Sequence, residues 1–236
     1  MNRRMVIGLL AAVLALPAQA QLAPFVAGYE VKYASFEAGR STLRLAPAGS
    51  PGQWRMESTA DATGLARLVA GGTLTQVSTV EVKGEQVRPL QFSFDDGMSR
   101  VEEDIELTFD WAGKRVRGKA KGAPVDLELV ADLQDMVSIQ LRVMLALQAG
   151  RMPATLPLID SDKIKTYRYT EVRRERLKTA AGEFDTVVYE SAREGSDRVT
   201  RSWLAPKLGY LTVQMEQERR GRRLLSMSLQ RYQPAP

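Results

Sequence analysis

From Phe25 onward, much of the chain alternates apolar and polar residues with period two, which predicts strands with one face on a core and the other in water. The clearest stretch is Arg100 to Trp111: Val101, Ile105, Leu107, Phe109 and Trp111 share one face, and Glu102, Asp104, Glu106, Thr108 and Asp110 the other. After Ala112-Gly113 the alternation resumes with opposite charge, through Arg115, Arg117, Lys119 and Lys121. A two-residue loop there sets Asp110 against Arg115, Thr108 against Arg117, Glu106 against Lys119 and Asp104 against Lys121, so charge and apolar register agree.

Two further hairpins are predicted around three-residue loops ending in a left-handed glycine. Glu37-Ala38-Gly39 sets Tyr33 opposite Leu43 and Val31 opposite Leu45. Arg219-Arg220-Gly221 sets Met215 opposite Leu225, Val213 opposite Met227, Leu211 opposite Leu229 and Glu218 opposite Arg222. Other strands are expected at Gln53 to Ala60, Thr73 to Val82, Val87 to Phe94, Lys165 to Arg173, Glu183 to Ala192 and Arg198 to Leu204. Pro89 requires an edge or a bulge within its strand. Pro153 to Pro157 reads as a connection.

One segment has a different period. From Asp132 to Gln148, Leu133, Met136, Val137, Leu141, Met144 and Leu145 recur at helical spacing, with Asp132 as N-cap and Gly150 past the end. Ile139, Val143 and Leu147 widen the apolar arc. A helix apolar around so much of its circumference is buried, most economically in the concavity of a curved sheet. A short helical turn is also predicted at Gly64 to Val69. The expected fold is therefore mainly β: a curved antiparallel sheet or open β-barrel of meander hairpins around one apolar helix, in a single domain spanning residues 21–236.

The N-terminus precedes this domain. Arg3 and Arg4, the apolar run Met5 to Leu16, and Ala18-Gln19-Ala20 form a secretory signal with predicted cleavage after Ala20; the run is too short for the ~20 apolar residues of a membrane span. The compartment implied is the periplasm, with a soluble mature chain and no transmembrane segment. Of the 33 Lys and Arg, 31 then remain against 28 Asp and Glu. That small excess points weakly to an anionic membrane or wall polymer, and nucleic acid is not an expected partner.

The chain contains no cysteine and no histidine, which removes thiol chemistry, disulfides, the commonest general base and the usual zinc ligands. Carboxylate, lysine or tyrosine chemistry is what remains. The acid pairs Asp95-Asp96, Glu102-Glu103-Asp104 and Asp160-Ser161-Asp162 are near neighbours, and adjacent strand residues face opposite ways, so none makes a glycosidase dyad alone. Asp160 and Asp162 lack the glycine and distal glutamate of a calcium loop. Glu103 interrupts an apolar face and reads as a rim or bulge position. No catalytic residue, metal or cofactor is assigned.

Two sets of residues are candidates for binding. Phe92, Phe94, Phe109, Trp111, Leu141 and Met144 would line a trough between sheet and helix that takes a lipid-like or other apolar ligand. Arg219, Arg220, Arg222 and Arg223 on a hairpin tip would meet an anionic surface or an envelope protein partner. The function expected is a noncatalytic periplasmic binding protein. The alternatives are an envelope assembly factor working through the arginine tip or strand edges and, last, a carboxylate-dependent enzyme centred on Glu103.

Phe109-Asp110-Trp111, Asp135-Met136-Val137-Ser138, Thr179 to Thr186 and Arg201-Ser202-Trp203-Leu204 before Gly209-Tyr210 resemble domain-of-unknown-function family 3108 of exported Gram-negative proteins. The chain departs from that pattern after the Trp-Leu pair, where the resemblance implies an aspartate and Ala205-Pro206-Lys207 stands instead. The family brings no catalytic residues with it. More distantly, the plan is similar to the open barrels of periplasmic lipoprotein carriers, a resemblance that implies an apolar ligand without fixing one.

Overall fold

The structure, a computed structural model, describes residues 22–64, 72–98 and 103–235; the predicted signal segment, most of the predicted turn at Gly64 to Val69, and Val101 and Glu102 lie outside them. The first eight strands are β1 (Phe25–Tyr33), β2 (Phe36–Pro47), β3 (Gln53–Ala62), β4 (Thr73–Lys83), β5 (Gln86–Asp95), β6 (Ile105–Asp110), β7 (Arg115–Ala120) and β8 (Ala123–Glu128). The helix α1 (Ser138–Gln148) follows, then β9 (Thr155–Asp160), β10 (Lys163–Thr179), β11 (Gly182–Arg193), β12 (Arg198–Ala205), β13 (Leu211–Arg219) and β14 (Arg222–Pro234). All fourteen strands form one antiparallel sheet, ordered β8 through β1, then β14 down to β9. Pairing of β1 with β14 puts both ends of the described chain mid-sheet, and the sheet edges are β8 and β9, which the α1 segment connects. Among the described residues the fold is thus the expected open, curved antiparallel sheet with one α-helix.

Cross-strand register defines the inner face. One row runs Phe25, Leu45, Met56, Ser78, Phe92, Leu107, Gly118, Val125 across β1 to β8. Its apolar side chains are buried in one core that also takes Leu141, Met144 and Leu145 of α1. The opposite side of the helix, Val143 and Leu147, packs on Leu156, Val187, Tyr189 and Leu204. Sheet side chains therefore surround the helix, as its wide apolar arc requires.

The predicted register of β6 and β7 is observed, with Asp110 opposite Arg115, Thr108 opposite Arg117 and Glu106 opposite Lys119. Pro89 sits at a bulge between Thr79 and Val80, in an interior strand. The other two hairpins differ from expectation. Tyr33 pairs with Phe36, so the β1–β2 turn is Ala34-Ser35, and Val31 faces Gly39. Gly39 is needed for a different reason: a Cβ there would lie 2.2 Å from the Asp61 carbonyl oxygen of β3. At β13–β14 the turn is two residues, Arg220 (φ 51°) and Gly221 (φ 71°), with Arg219 opposite Arg222 and Met215 opposite Met227. Positive φ at both turn residues matches the right-handed twist of the strands, which a three-residue loop does not require. Away from the turns the pairing sum differs from expectation by six in β1–β2 and by two in β13–β14, even numbers that preserve the inward face, and an irregularity beside each turn shifts the register by one more.

The helix also begins later than expected. Asp132 is not its cap: it has φ 59° and its carboxylate takes Arg142 Nε and Nη2 at 2.8–3.1 Å. The turn before α1 is instead held by Asp135, whose Oδ1 accepts the Val137 and Ser138 N–H groups, each at 2.8 Å. Ser138 Oγ accepts the Asp135 N–H at 2.9 Å, which makes a reciprocal capping box. The segment Pro153 to Pro157 likewise enters a strand, since β9 starts at Thr155.

Candidate functional site

Between α1 and the inner face of β10 to β13 lies a groove of about 260 Å³. The helix side supplies Met136, Ile139, Gln140 and Val143. The sheet side is set by two cross-strand rows: Tyr189, Ser202 and Met215, and Tyr169, Ser191 and Thr200. A bulge between Trp203 and Leu204 keeps Leu204 and Thr212 on the same wall. Small hydroxyl residues at Ser191, Thr200, Ser202 and Thr212 leave the space that larger side chains fill in the other half of the sheet.

The helix is placed over this groove by buried polar contacts. Asp135 is fully buried, and its Oδ2 accepts the Ser78 hydroxyl at 2.6 Å, which ties the capping box to the inner row of β4. Burial pushes the Asp135 carboxyl above the ordinary aspartate range, against the opposing pull of its Ser138, Ser78 and Val137 hydrogen bonds. Gln134 beside it, also fully buried, donates Nε2 to the Val87 carbonyl at 2.9 Å and exchanges backbone bonds with Pro157 and Ile159 of β9. At the other end of α1, Gln148 donates to the Gly209 carbonyl at 3.1 Å.

Burial raises the Tyr169 hydroxyl well above the ordinary tyrosine range, helped by neighbouring Tyr167. Burial first, then the charge of Glu171, raises Tyr189, whose hydroxyl donates to Glu171 at 3.3 Å. Both phenols therefore stay protonated near neutral pH. The amide nitrogen of Gln140 is buried with no acceptor among the described residues. No carboxylate, lysine or arginine lines the groove among the described residues.

The six residues predicted to line a trough are brought together, as core. Phe92, Phe109, Leu141 and Met144 are buried in one cluster, with Phe94 and Trp111 partly buried against it. None of the six lines the groove. Trp111 donates Nε1 to the Pro89 carbonyl at 2.6 Å and lies 5.5 Å beneath the Arg88 guanidinium. It borders a larger, more open cleft of about 720 Å³ whose charged walls include Arg88, Lys114, Glu128, Asp132 and Arg142. Groove residues Ser191, Thr200, Ser202 and Thr212 were not singled out from sequence, where small polar residues in a strand carry no signal of a groove wall.

The predicted arginine tip is at the β13–β14 turn. Arg219 and Arg220 pair with Asp197, and Arg223 pairs with Glu216. Glu103 is exposed outside β6. Asp160 pairs with Lys165. No helix among the described residues is long and apolar enough to cross a membrane.

A family model for proteins of unknown function, DUF3108, matches residues 28–220. The chain belongs to this family. Two of the family-like segments acquire physical roles here: Asp135 to Ser138 is the capping box, and Ser202-Trp203-Leu204 splits between the groove and the opposite face. There Trp203 lies 5.5 Å from the Arg173 guanidinium and donates Nε1 to Glu175. No curated protein matches. Among solved structures, the chain is similar to a β-barrel-like protein of the DUF1849 domain of unknown function from Brucella abortus, at 11% identity and TM-score 0.57, covering 92% of this chain and 99% of that one. It is similar also to a protein described as exported, with a YmcC-like fold, from Bacteroides fragilis (12% identity, TM-score 0.38, 89% of this chain and 95% of that one). A protein described as a lipoprotein from Parabacteroides distasonis matches at 11% identity and TM-score 0.39, covering 90% and 96%. The first of these likenesses shows a shared fold.

Proposed function

We propose that this DUF3108 protein is a noncatalytic, exported envelope protein that holds an apolar or amphipathic ligand in the groove between α1 and β10 to β13. The observation that carries this reading is the mixed wall. Met136, Ile139, Val143, Leu204 and Met215 offer apolar surface, while the orphaned Gln140 amide and the protonated Tyr169 phenol offer donors to an oxygen-bearing end. A volume of 260 Å³ is just under the ~300–1,000 Å³ of drug-sized sites, so a long ligand would seat one end and leave the rest outside. Among the described residues no carboxylate, lysine or arginine lines the groove, which favours binding over turnover.

Partner capture by strand addition has less support. The β8 edge carries Pro124, Asp126 and Glu128, and the free side of β9 is bridged by Gln134, both of which oppose edge pairing.

Native mass spectrometry of protein purified from the periplasm, followed by solvent extraction, tests the proposal. The expected result is an extractable small-molecule adduct that Ser202→Phe, which fills the groove, abolishes while the fold is retained by circular dichroism. Repeated recovery of empty protein, or an adduct unaffected by Ser202→Phe, would overturn it.

A further inference from the structure

The corrected register of β1 and β2 brings two large apolar side chains out of the core. Tyr33 and Phe36 face each other across the Ala34-Ser35 turn and are 61% and 78% exposed. The neighbouring strand pair ends beside them: Tyr33 pairs with Leu225, and the Ala34 N–H donates to the Leu224 carbonyl at 2.7 Å. Directly next to Leu224 is the β13–β14 tip, where Glu218 to Arg223 holds four arginines and one glutamate. Arg220 remains 78% exposed although paired with Asp197, and Arg222 makes no ion pair among the described residues. An aromatic pair and an arginine cluster from adjacent hairpins thus share one end of the sheet.

We infer that this end docks on an anionic lipid surface, with Tyr33 and Phe36 entering the interface and Arg220 and Arg222 meeting headgroup phosphates. Aromatic side chains favour the headgroup level of a bilayer, and arginine binds phosphate through its planar fork. The size of the patch separates this occupant from a protein. Two aromatic side chains bury at most ~150–250 Å² each, well short of the ~800 Å² per partner of a standard protein interface. Insertion into lipid needs no such area, and the arginines supply the long-range attraction.

The same register row continues from Tyr33 through Leu225, Gln217, Thr200 and Ser191 to Tyr169, so the docking end is level with the wall of the groove. Docking would bring the groove to the bilayer, but it stands whether or not the groove carries cargo.

The test is co-sedimentation of the signal-free full chain with vesicles of phosphatidylcholine alone and of phosphatidylcholine with phosphatidylglycerol. Binding is expected to the anionic vesicles only and to fall as salt screens the arginines. Arg220→Gln and Arg222→Gln should each weaken it roughly fivefold, and Phe36→Ser about tenfold or more. Both hairpin tips are exposed, so circular dichroism should be unchanged in every variant. Absence of vesicle binding, or binding that Phe36→Ser leaves intact, overturns the inference. So does a shift from dimer to monomer on size exclusion in Phe36→Ser without vesicle binding, which would make the patch a contact between copies. An empty groove with intact vesicle binding would sink the ligand proposal and leave this one standing.

Discussion

The placement of α1 rests on one buried carboxylate, and three substitutions resolve what it does. Asp135 Oδ1 receives two backbone N–H groups and Oδ2 receives the Ser78 hydroxyl. Asp135→Ala removes the cap, typically ~1 kcal/mol, and leaves buried donors at ~1–3 kcal/mol each, partly offset because a buried charge is also gone. A net loss of about 3 kcal/mol follows. With a urea m-value near ~3 kcal/mol/M for a chain of this size, the unfolding midpoint should fall by about 1 M. Asp135→Asn is isosteric: its carbonyl oxygen can keep both backbone donors, and its NH₂ can donate to Ser78 Oγ, so it should stay close to wild type. Ser78→Ala should fall between them, at ~1.5–3 kcal/mol for a hydrogen bond to a charged group.

The pH dependence separates charge from shape. Burial raises the Asp135 carboxyl above its unfolded range, so the folded state binds its proton more tightly than the unfolded state does. The stability this confers is fully present below the ordinary aspartate range and is lost as pH rises through the raised folded value. Asp135→Asn carries no such loss, so its stability relative to wild type should increase with pH across that window, measured by urea titrations between about pH 4 and 8. Two results would refute this account: Asp135→Asn as damaging as Asp135→Ala, or a difference between Asn and wild type that does not change with pH.

Two further outcomes concern the scaffold. Gly39→Ala forces a Cβ against the Asp61 carbonyl and should lower thermal stability by ~1–3 kcal/mol, whereas Gly49→Ala, with open space around it, should cost only its left-handed backbone strain. Asp132→Asn breaks the bidentate pair with Arg142, whose side chain is 13% exposed, and should cost about 2 kcal/mol in chemical denaturation, below the ~3–5 of a fully buried pair.

Where neighbouring residues in the chain supply the determining interaction, the sequence was sufficient. The β6–β7 register followed from complementary charges a turn apart, and the helix from its own apolar arc, because both are settled within about twenty residues. The β1–β2 turn was misplaced because Gly39 looks like a turn residue but is required by β3, twenty-two positions downstream at Asp61, where two backbones approach too closely for a Cβ. Asp132 looked like a cap for a similar reason: its partner, Arg142, and the competing claim of Ser78 on Asp135 are visible only once α1 lies on β4. The groove depended on folding most of all. Ser191, Thr200, Ser202 and Thr212 carry no local mark of an inward face, and only the closing of β10 to β13 over the helix turns four small polar side chains into a cavity wall. Periodicity in a sequence says which residues share a face; which faces meet, and how much room is left between them, is decided by contacts between segments far apart in the chain.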